Sequence, residues 1–326
     1  MVIRPDAPVI SVIIPTCARP DMLVDCVASI LANGFEDFEI IIVDQDRHGG
    51  LQELLARRFP DEGRLVYLLL EQPHASRARN LGIEHARGEI VVFSDDDVEV
   101  EPQWLRAYID AFAARGWESI VVGGRLDPLW LVPKPEWLPE RRQYVLGIYD
   151  KDDGFALMRE HDQPIGANFA VHRKIIDAVG PFDERIGPSY VRKRGMIFGE
   201  DALFSMRARQ ARYAVYYQPA ARSWHKMSAR KATKRYFIRR SFWEGVTQLT
   251  IMHLSGSVFP KDCRHVVRRH AHEIRGAGRR LGRTLLRWRR TVNPAREAME
   301  ALSSIANSAG VIRAALKLRS SGRLPW

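Results

Sequence analysis

Three consecutive aspartates, Asp95, Asp96 and Asp97, follow the apolar segment 89–93 (EIVVF). Such a cluster has three interpretations. It can cap the helix that starts near Pro102, because carboxylates accept hydrogen bonds from N-terminal amides. It can supply a nucleophilic aspartate of the phosphatase type, although that chemistry normally uses the first strand of its fold and this strand is the fourth. It can hold Mg²⁺ or Mn²⁺, which take oxygen ligands and can bridge a nucleotide diphosphate.

Other phosphate-binding and catalytic signatures are missing from the sequence. After the first predicted strand the chain reads Ile-Pro-Thr-Cys-Ala-Arg-Pro at 14–20, where a dinucleotide-binding chain would carry G-x-G-x-x-G. The sequence also has no Walker lysine loop and no G-x-S-x-G nucleophile elbow. An NAD-type site is therefore disfavoured, and the aspartate cluster remains the main chemical signal.

The elements that must position this cluster alternate between strands and helices. Near-continuous apolar runs predict five strands. These are 9–14 (VISVII), 38–43 (FEIIIV), 64–70 (RLVYLLL), 89–93 and 119–122. Strands that alternate with helices are typical of a parallel α/β sheet, in which ligands lie beyond the carboxyl ends of the strands. Here those ends carry Pro15, Thr16, Asp44 and the aspartate cluster.

Six segments form an ordered set that extends over most of the chain. They are SVIIPTCARP, IIIVDQD, ASRARNLGIEHARGEIVVFSDDD, PIGANFAVHRKIIDAVGPFDE, FGEDALFSMRARQARYAVYYQPAARSWH and RYFIRRSFWEGV. Each short segment is a weak indicator alone, but their order and spacing together are specific. With them the chain resembles the family 2 glycosyltransferases over residues 9–250. The resemblance implies an inverting glycosyltransferase with the GT-A fold.

The fold expected from this resemblance is α/β, with a mostly parallel sheet in a GT-A-like domain at 1–250. A nucleotide-sugar half would occupy 1–124 and an acceptor half 125–250. Residues 125–165 include the proline-rich run PLWLVPKPEWLP and are expected to form a long excursion over the site on the acceptor side. Residues 251–326 would form a basic helical extension.

On the nucleotide side, the resemblance places contacts at the strand ends. Pro15 and Thr16 would meet the nucleoside, and Asp44 would accept the imino proton of the base. A carboxylate aimed at that proton suits uracil or thymine and favours a UDP- or dTDP-sugar. The family's more usual Asp-Asp-Gly-Ser is replaced here by a sequence that continues Asp44-Gln45-Asp46, so the nucleobase preference stays open.

The resemblance also implies a divalent metal cofactor, Mn²⁺ or Mg²⁺. Asp97 would ligate the metal, Asp95 would touch the ribose or the metal, and His225 would complete the coordination. The metal would neutralise charge on the departing diphosphate. Arg79, or its neighbour Arg77, would contact the phosphates.

On the acceptor side, Gly166 and Asn168 match a loop whose glycine permits close approach and whose amide can bond a sugar hydroxyl. Glu200 and Asp201 match the acidic pair at the start of the acceptor helix. One of them must take the proton of the acceptor hydroxyl, and we favour Asp201 over Glu200. Their alternative role is to compensate the dipole of that helix.

The C-terminal part of the chain is strongly basic. Residues 222–326 carry 24 Lys and Arg against five Asp and Glu, and the rest of the chain is net acidic. Apolar residues at helical spacing predict two amphipathic helices there. We favour docking on an anionic membrane surface. Packing against the catalytic domain is the second interpretation, and nucleic-acid binding is disfavoured.

The remaining features favour a cytoplasmic enzyme, peripheral on the inner face of the cell membrane. The three cysteines lack metal-ligand spacing, and the chain start lacks the apolar run of a signal peptide. Two other functions would require different sequence features. A sugar-phosphate nucleotidyltransferase would need a glycine-rich loop after the first strand, where 14–20 supplies Arg19 but no glycine. A non-catalytic basic binding module predicts lost carboxylates, which this sequence retains.

Overall fold

The structure is a computed structural model, and it describes residues 7–46, 49–151, 154–188 and 197–322. These residues form two compact units. Of the described residues, those within 7–128, 149–188 and 200–226 form the sheet unit, and those within 129–148, 197–199 and 227–322 form the helical unit. Residues 323–326 of the predicted extension lie outside the described residues.

The strands of the described chain belong to one sheet. They are β1 (Ile10–Thr16), β2 (Phe38–Asp44), β3 (Leu65–Leu69), β4 (Ile90–Ser94), β5 (Val98–Val100), β6 (Ile120–Trp130), β7 (Ala156–Leu157), β8 (Asn168–His172) and β9 (Ala214–Met227). Their order is β3-β2-β1-β4-β8-β6-β9-β5, and β7 pairs with β9. Strand β1 is parallel to its neighbours β2 and β4, and β2 is parallel to β3. Strand β8 is antiparallel to both of its neighbours, β4 and β6. The predicted α/β class is confirmed.

The parallel strands β1, β2 and β4 are buried on both faces because nearly all their residues are apolar, whereas β3 is only partly buried. Ile10, Val12 and Ile14 of β1 contribute to one core. Ile13 lies on the opposite face, in a second core with Ile41 of β2, because successive side chains of a strand alternate in direction. A strand that is buried on both faces can present polar groups to a ligand only at its ends. The candidate site therefore lies at the strand ends.

Six helices of the described residues belong to the sheet unit. They are α1 (Pro20–Leu31), α2 (Leu51–Arg58), α3 (Ala75–His85), α4 (Trp104–Arg115), α5 (Arg173–Val179) and α6 (Glu200–Gln210). Helix α3 lies very close to the sheet at Gly82, where a Cβ atom would be 2.5 Å from Cγ2 of Ile13. This contact fixes α3 against β1 about one helical turn after Arg79.

Three long helices dominate the helical unit: α7 (Lys234–Leu254), α8 (Cys263–Leu286) and α9 (Pro294–Ser321). The two predicted helices of the basic extension, α8 and α9, are thus confirmed. Helix α7 is continuous across residue 250, where the sequence predicts a domain boundary. None of the helices in the described residues combines the length and apolar character that crossing a bilayer requires.

Helices α7 and α9 meet backbone to backbone at two glycines. A Cβ atom on Gly245 would lie 1.9 Å from the carbonyl oxygen of Asn307, and one on Gly310 would lie 1.9 Å from that of Phe242. Real Cβ atoms do not approach oxygen this closely, so the two helices can pack at this distance only because both positions lack side chains.

We expect Gly310→Ala to lower the free energy of unfolding by about 1–3 kcal/mol, since the added methyl group must push the two helices apart. Gly278→Ala on α8 is the matched control, because nothing lies within 4 Å of the added Cβ there. That control should be neutral or stabilising by up to about 1 kcal/mol, the gain in helix propensity. Urea denaturation of both variants measures the difference. The packing argument fails if the two substitutions change the free energy of unfolding in the same direction and by the same amount.

Candidate active site

The residues that the sequence places on the nucleotide side meet at one edge of the sheet. The register sets Thr16, the last residue of β1, beside Asp44, the last residue of β2. The neighbouring strand β4 ends directly before Asp95. The hydroxyl of Thr16 donates a hydrogen bond to Oδ2 of Asp96 at 2.8 Å, which ties the end of β1 to the aspartate cluster. Pro15 lies buried one position earlier in β1.

Asp44 is buried and held by two donors. The Tyr67 hydroxyl donates to its Oδ2 at 2.9 Å, and the Asp46 backbone N–H donates to its Oδ1 at 2.9 Å. Burial, together with the hydrogen bond to Asp44, raises the pKa of Tyr67 to about 12. Gln45, where the family more often has aspartate, accepts a hydrogen bond from the backbone N–H of His74 at 2.7 Å. Gln45 thus orders the entry to α3, while Asp44 keeps a fixed orientation.

Arg19 lies over the aspartate cluster. Its Nη1 is 2.9 Å from Oδ1 of Asp96 and 3.2 Å from Oδ2 of Asp97. The Asp96 carboxyl is buried, and this burial raises its pKa to about 7 although the Arg19 guanidinium acts in the opposite direction. Arg19, in the segment after β1, therefore places a positive charge next to the aspartate cluster.

The predicted metal ligands Asp97 and His225 lie side by side. In the antiparallel pairing of β5 with β9, His225 is opposite Val98, and its Nε2 is 3.3 Å from Oδ1 of Asp97. Both side chains are largely buried.

The carboxylate suits Mn²⁺ or Mg²⁺, and the imidazole, a ligand that transition metals accept more readily, favours Mn²⁺ of the two. No group of three or more His, Cys, Asp or Glu side chains in the described part of the chain is arranged to hold a metal. A cation that bridges a nucleotide needs only one or two protein ligands, because the phosphates supply the others. Asp97 and His225 therefore fit a metal that is shared with the substrate.

Arg79 joins the end of β4 to the start of α6. Its Nη2 donates to Oδ1 of Asp95 at 2.9 Å, and its Nη1 donates to Oε1 of Glu200. The Arg79 and Glu200 side chains are each only 5% exposed. Burial would lower the pKa of Arg79, but the carboxylates of Glu200 and Asp95 raise it above its usual value. Arg79 is therefore a fully charged link between two carboxylates.

Two atoms of this buried pair have no hydrogen-bond partner among the described residues: Nε of Arg79 and Oε2 of Glu200. Buried polar atoms cost free energy unless they are paired, so each marks a position for a water molecule or a ligand group. Arg77, the other arginine considered for the phosphates, lies on the surface of α3 with Glu184 at 3.0 Å. Of the two arginines, Arg79 is the one within the site.

Asp201 lies in the first turn of α6, beside Glu200. Its Oδ1 accepts a hydrogen bond from the N–H of Ala202 at 2.7 Å, and its Oδ2 accepts one from the N–H of Gly166. Burial raises the pKa of Asp201 to about 7, and the charge of Glu200 adds to the rise. A Cβ atom on Gly166 would lie 3.0 Å from Oδ2 of Asp201, so the glycine permits this close contact. A carboxyl with a pKa near neutrality can exchange a proton at working pH.

Asn168 is buried, and its amide is fully used within the fold. Its Oδ1 accepts hydrogen bonds from Trp104 Nε1 at 2.7 Å and from the Tyr108 hydroxyl at 2.6 Å. Its Nδ2 donates to the carbonyls of Arg125 at 2.7 Å and Ala221 at 2.9 Å. An amide makes two donor and two acceptor bonds of this kind. This arrangement favours a structural role for Asn168, tying α4 to the sheet, over the predicted contact with a sugar hydroxyl.

Three residues at this edge were not part of the predicted site: Arg19, Tyr67 and Asp96. The position of Arg19 was a usable signal, because loops that follow neighbouring parallel strands lie at the same edge of the sheet. Asp96 was inside the cluster, but the resemblance assigned roles only to Asp95 and Asp97. Tyr67 lies within β3, and its contact with Asp44 depends on the pairing of β2 with β3.

Comparison with known proteins identifies a family over the same region. The model of glycosyl transferase family 2 matches residues 11–180, which include the parallel strands, the aspartate cluster and β8.

Relatives and a solved structure extend this match. A glucosyl-dolichyl phosphate glucuronosyltransferase of Haloferax volcanii is 27% identical over 248 residues, 73% of this chain and 76% of that protein. A GalNAc(5)-diNAcBac-PP-undecaprenol beta-1,3-glucosyltransferase of Campylobacter jejuni is 33% identical over 97 residues, 28% of this chain and 31% of that protein. The crystal structure of GalNAc-T7 with UDP, GalNAc and Mn²⁺ superposes with a TM-score of 0.51 at 14% identity, over 75% of this chain and 51% of that one. The structural likeness concerns the fold.

Proposed function

The chain belongs to glycosyl transferase family 2, and we propose that it transfers a sugar from a nucleotide diphosphate sugar to a hydroxyl of a lipid-linked glycan or polysaccharide. The main support is the contact of Asp95 with Arg79 and of Arg79 with Glu200, next to Asp201. These contacts connect the strand end where the nucleotide is expected to a carboxyl whose pKa is about 7. The proposed donor site and the proposed proton acceptor thus belong to one charged network.

We propose a UDP- or dTDP-sugar as the donor. The support is Asp44, a buried carboxylate at the end of β2 that Tyr67 and the Asp46 N–H hold in place. Each carboxylate oxygen has two lone pairs, so Asp44 can still accept the N3–H of uracil or thymine. A guanine or adenine ring would present a different pattern of donors.

The proposed reaction is a direct displacement at the anomeric carbon. The acceptor hydroxyl attacks from the side opposite the diphosphate, so an α-linked donor gives a β-linked product. Asp201 accepts the hydroxyl proton as the new bond forms. Glu200, which Arg79 holds beside it, keeps a negative charge nearby and so increases the proton affinity of Asp201. No enzyme nucleophile takes part.

Asp97 and His225 would hold Mn²⁺ or Mg²⁺ at this site. The cation would neutralise negative charge that develops on the leaving diphosphate. The role of the chain itself is to hold Oδ1 of Asp97, directly before β5, at 3.3 Å from Nε2 of His225, near the end of β9.

The proposed acceptor class rests on the relatives, whose names contain dolichyl phosphate and PP-undecaprenol. Both are lipid-linked, and such an acceptor must be reached at a membrane. We therefore propose that the chain works at the inner face of the cell membrane, whose anionic lipids would attract the basic helices α8 and α9.

Thermal unfolding in the presence of Mn²⁺ and a panel of nucleotide sugars tests the function. A ligand that binds the native state raises the unfolding temperature by mass action. We expect UDP- or dTDP-sugars to do so and GDP-sugars to have no effect. The stabilising donor is then incubated with polyprenyl-linked glycans, and nucleotide release that requires the acceptor supports transfer. Stabilisation by purine donors alone would contradict the role of Asp44.

The metal site gives a separate prediction. For the wild type, Mn²⁺ should tighten UDP binding by about tenfold or more, because phosphate oxygens and protein ligands share the ion. Asp97→Ala should lose this gain while retaining metal-independent binding. Asp110→Ala, which removes an exposed carboxylate of α4, is the matched control and should keep the full gain. Calorimetric titration of UDP with and without Mn²⁺ measures this increase in affinity. If Asp97→Ala shows the same increase as the wild type, Asp97 is not a metal ligand.

A further inference from the structure

The end of α8 and the turn after it expose a group of large apolar side chains. Leu285 is 57% exposed, Leu286 89%, Trp288 45% and Val292 104%. We call these four residues the α8 tip. Apolar side chains that cluster on a surface, rather than occurring singly, mark a site of interaction with another apolar surface.

The α8 tip is held in place by the helices that flank it. The Thr284 hydroxyl donates to Oε2 of Glu297 at 3.0 Å, so the last turn of α8 is fixed to the first turn of α9. Asn293 caps α9 by accepting a hydrogen bond from the N–H of Arg296 at 3.0 Å. The exposed residues therefore lie in a short, well-anchored connection, where burying them in a partner costs little ordering entropy.

Arginines surround the α8 tip. Six exposed arginines lie in this part of the chain: Arg279, Arg280, Arg283, Arg287, Arg289 and Arg290. The sequence has no acidic residue between Glu273 and Glu297. None of the six guanidinium groups forms an ion pair with any residue that the structure describes. Their positive charge is therefore available to an external anion.

A shallow concavity lies beside the tip. It is lined by Arg279, Gly282, Arg283 and Leu286. A Cβ atom on Gly282 would meet nothing within 4 Å, so the floor of the concavity is open. Two guanidinium groups beside an open floor suit a phosphate group, and Leu286 next to them suits an acyl chain.

We infer that the α8 tip inserts into an anionic phospholipid bilayer, with its arginines bound to the lipid phosphates. A bilayer matches both the apolar tip and the arginines around it. The apolar side chains enter the acyl region, and the basic side chains stay at the headgroups. Nucleic acid would match the arginines but leave Leu285 and Leu286 in water. A second copy of the chain would bring like-charged arginines together. The inference deepens the proposed membrane location, on which it rests, by naming the segment that enters the bilayer. It does not depend on the transfer reaction, because bilayer binding needs neither donor nor acceptor.

Sedimentation with liposomes tests this inference on the full chain. The probes are vesicles of phosphatidylcholine with and without phosphatidylglycerol. The wild type should bind the anionic vesicles and be released as salt rises, because screening weakens the arginine contacts. Leu285→Ser/Leu286→Ser should weaken binding by about 100-fold, since two leucines no longer transfer from water to the acyl region.

The matched control is Leu302→Ser/Leu316→Ser, which changes two exposed leucines of α9 in the same unit. It should bind like the wild type, and thermal unfolding checks that both variants remain folded. Lipids brominated on the acyl chain should quench Trp288, and the quenching should decrease in Trp288→Phe. Equal vesicle binding by the two double variants, or no quenching of Trp288, would overturn insertion. Preferential binding of duplex DNA over anionic vesicles would overturn the choice of a bilayer.

Discussion

Asp201→Asn is expected to lower the rate of sugar transfer by about 100- to 10,000-fold, the usual contribution of a positioned general base. Asparagine keeps the size of the side chain and removes its ability to take the hydroxyl proton. Donor affinity should be unchanged, because the predicted nucleotide contacts lie at the ends of β1, β2 and β4. Single-turnover transfer to a lipid-linked acceptor gives the rate, and calorimetry gives donor affinity separately.

The pH dependence of the same reaction identifies the base independently. Asp201 must be deprotonated to accept a proton, and burial raises its pKa to about 7. Wild-type transfer should therefore be low below that pH and rise as pH passes through it. The rise should be absent from the residual activity of Asp201→Asn. If it persists there, the titrating group is another residue.

Glu200→Gln is the neighbouring control. It removes the negative charge that helps to raise the pKa of Asp201, so the rise in transfer should move to lower pH. The rate at high pH should fall less than in Asp201→Asn. If Asp201→Asn transfers at a near wild-type rate while Glu200→Gln is inactive, the base is Glu200. Normal transfer by both variants would remove the start of α6 from the mechanism.

Arg79→Met should lower the free energy of unfolding by about 3–5 kcal/mol. The substitution leaves the carboxylate of Glu200 buried without its partner, and breaking a buried ion pair by removing one member typically costs this much. Arg77→Met on the same helix is the matched control. Its pair with Glu184 is exposed, and exposed pairs contribute about 0–1 kcal/mol. Urea denaturation at neutral pH compares the two variants.

A double substitution separates the loss of the ion pair from a change in shape. Arg79→Met/Glu200→Leu removes both charges and should recover most of the lost stability, because apolar residues of similar volume can replace a buried pair. Transfer should not recover, since Asp201 would lose its charged neighbours. If Arg79→Met is as stable as Arg77→Met, the contact between Arg79 and Glu200 does not contribute to stability. If the double variant is no more stable than Arg79→Met, the loss arises from packing.

Strands β1 to β4 could largely be predicted because the amino-acid composition of each strand identifies it. Strands such as β1 and β2 are apolar at nearly every position, so their limits and their polar ends are visible in the sequence. Once parallel pairing is assumed, Thr16 and Asp44 must lie together. The shared position of Asp97 and His225 came instead from the family resemblance, because nothing local predicts the antiparallel pairing of β5 with β9.

The rest depends on contacts between distant positions that local patterns do not reveal. Arg79 and Glu200 are 121 residues apart in the chain, and the pattern of α3 does not distinguish Arg79 from the exposed Arg77. The Gly-Ala-Asn motif indicated an acceptor loop, but whether Asn168 faces a ligand or the core is decided by Trp104 and Tyr108. Similarly, Gly245 and Gly310 are far apart in the sequence, and nothing local predicts that they lie at the same crossing of α7 and α9.

The guanidinium of Arg19 also bears on how the sheet unit folds. Neighbouring carboxylates at a strand end repel each other, and proteins that need a metal to overcome such repulsion fold only when it is bound. Here Asp96 is bonded by Thr16 and Arg19, and Asp97 lies against Arg19 and His225. Protein atoms therefore balance these charges once β1 has paired with β4 and β5 has paired with β9. The sheet unit should therefore fold without a divalent cation, and the proposed ion would be needed only when the nucleotide binds.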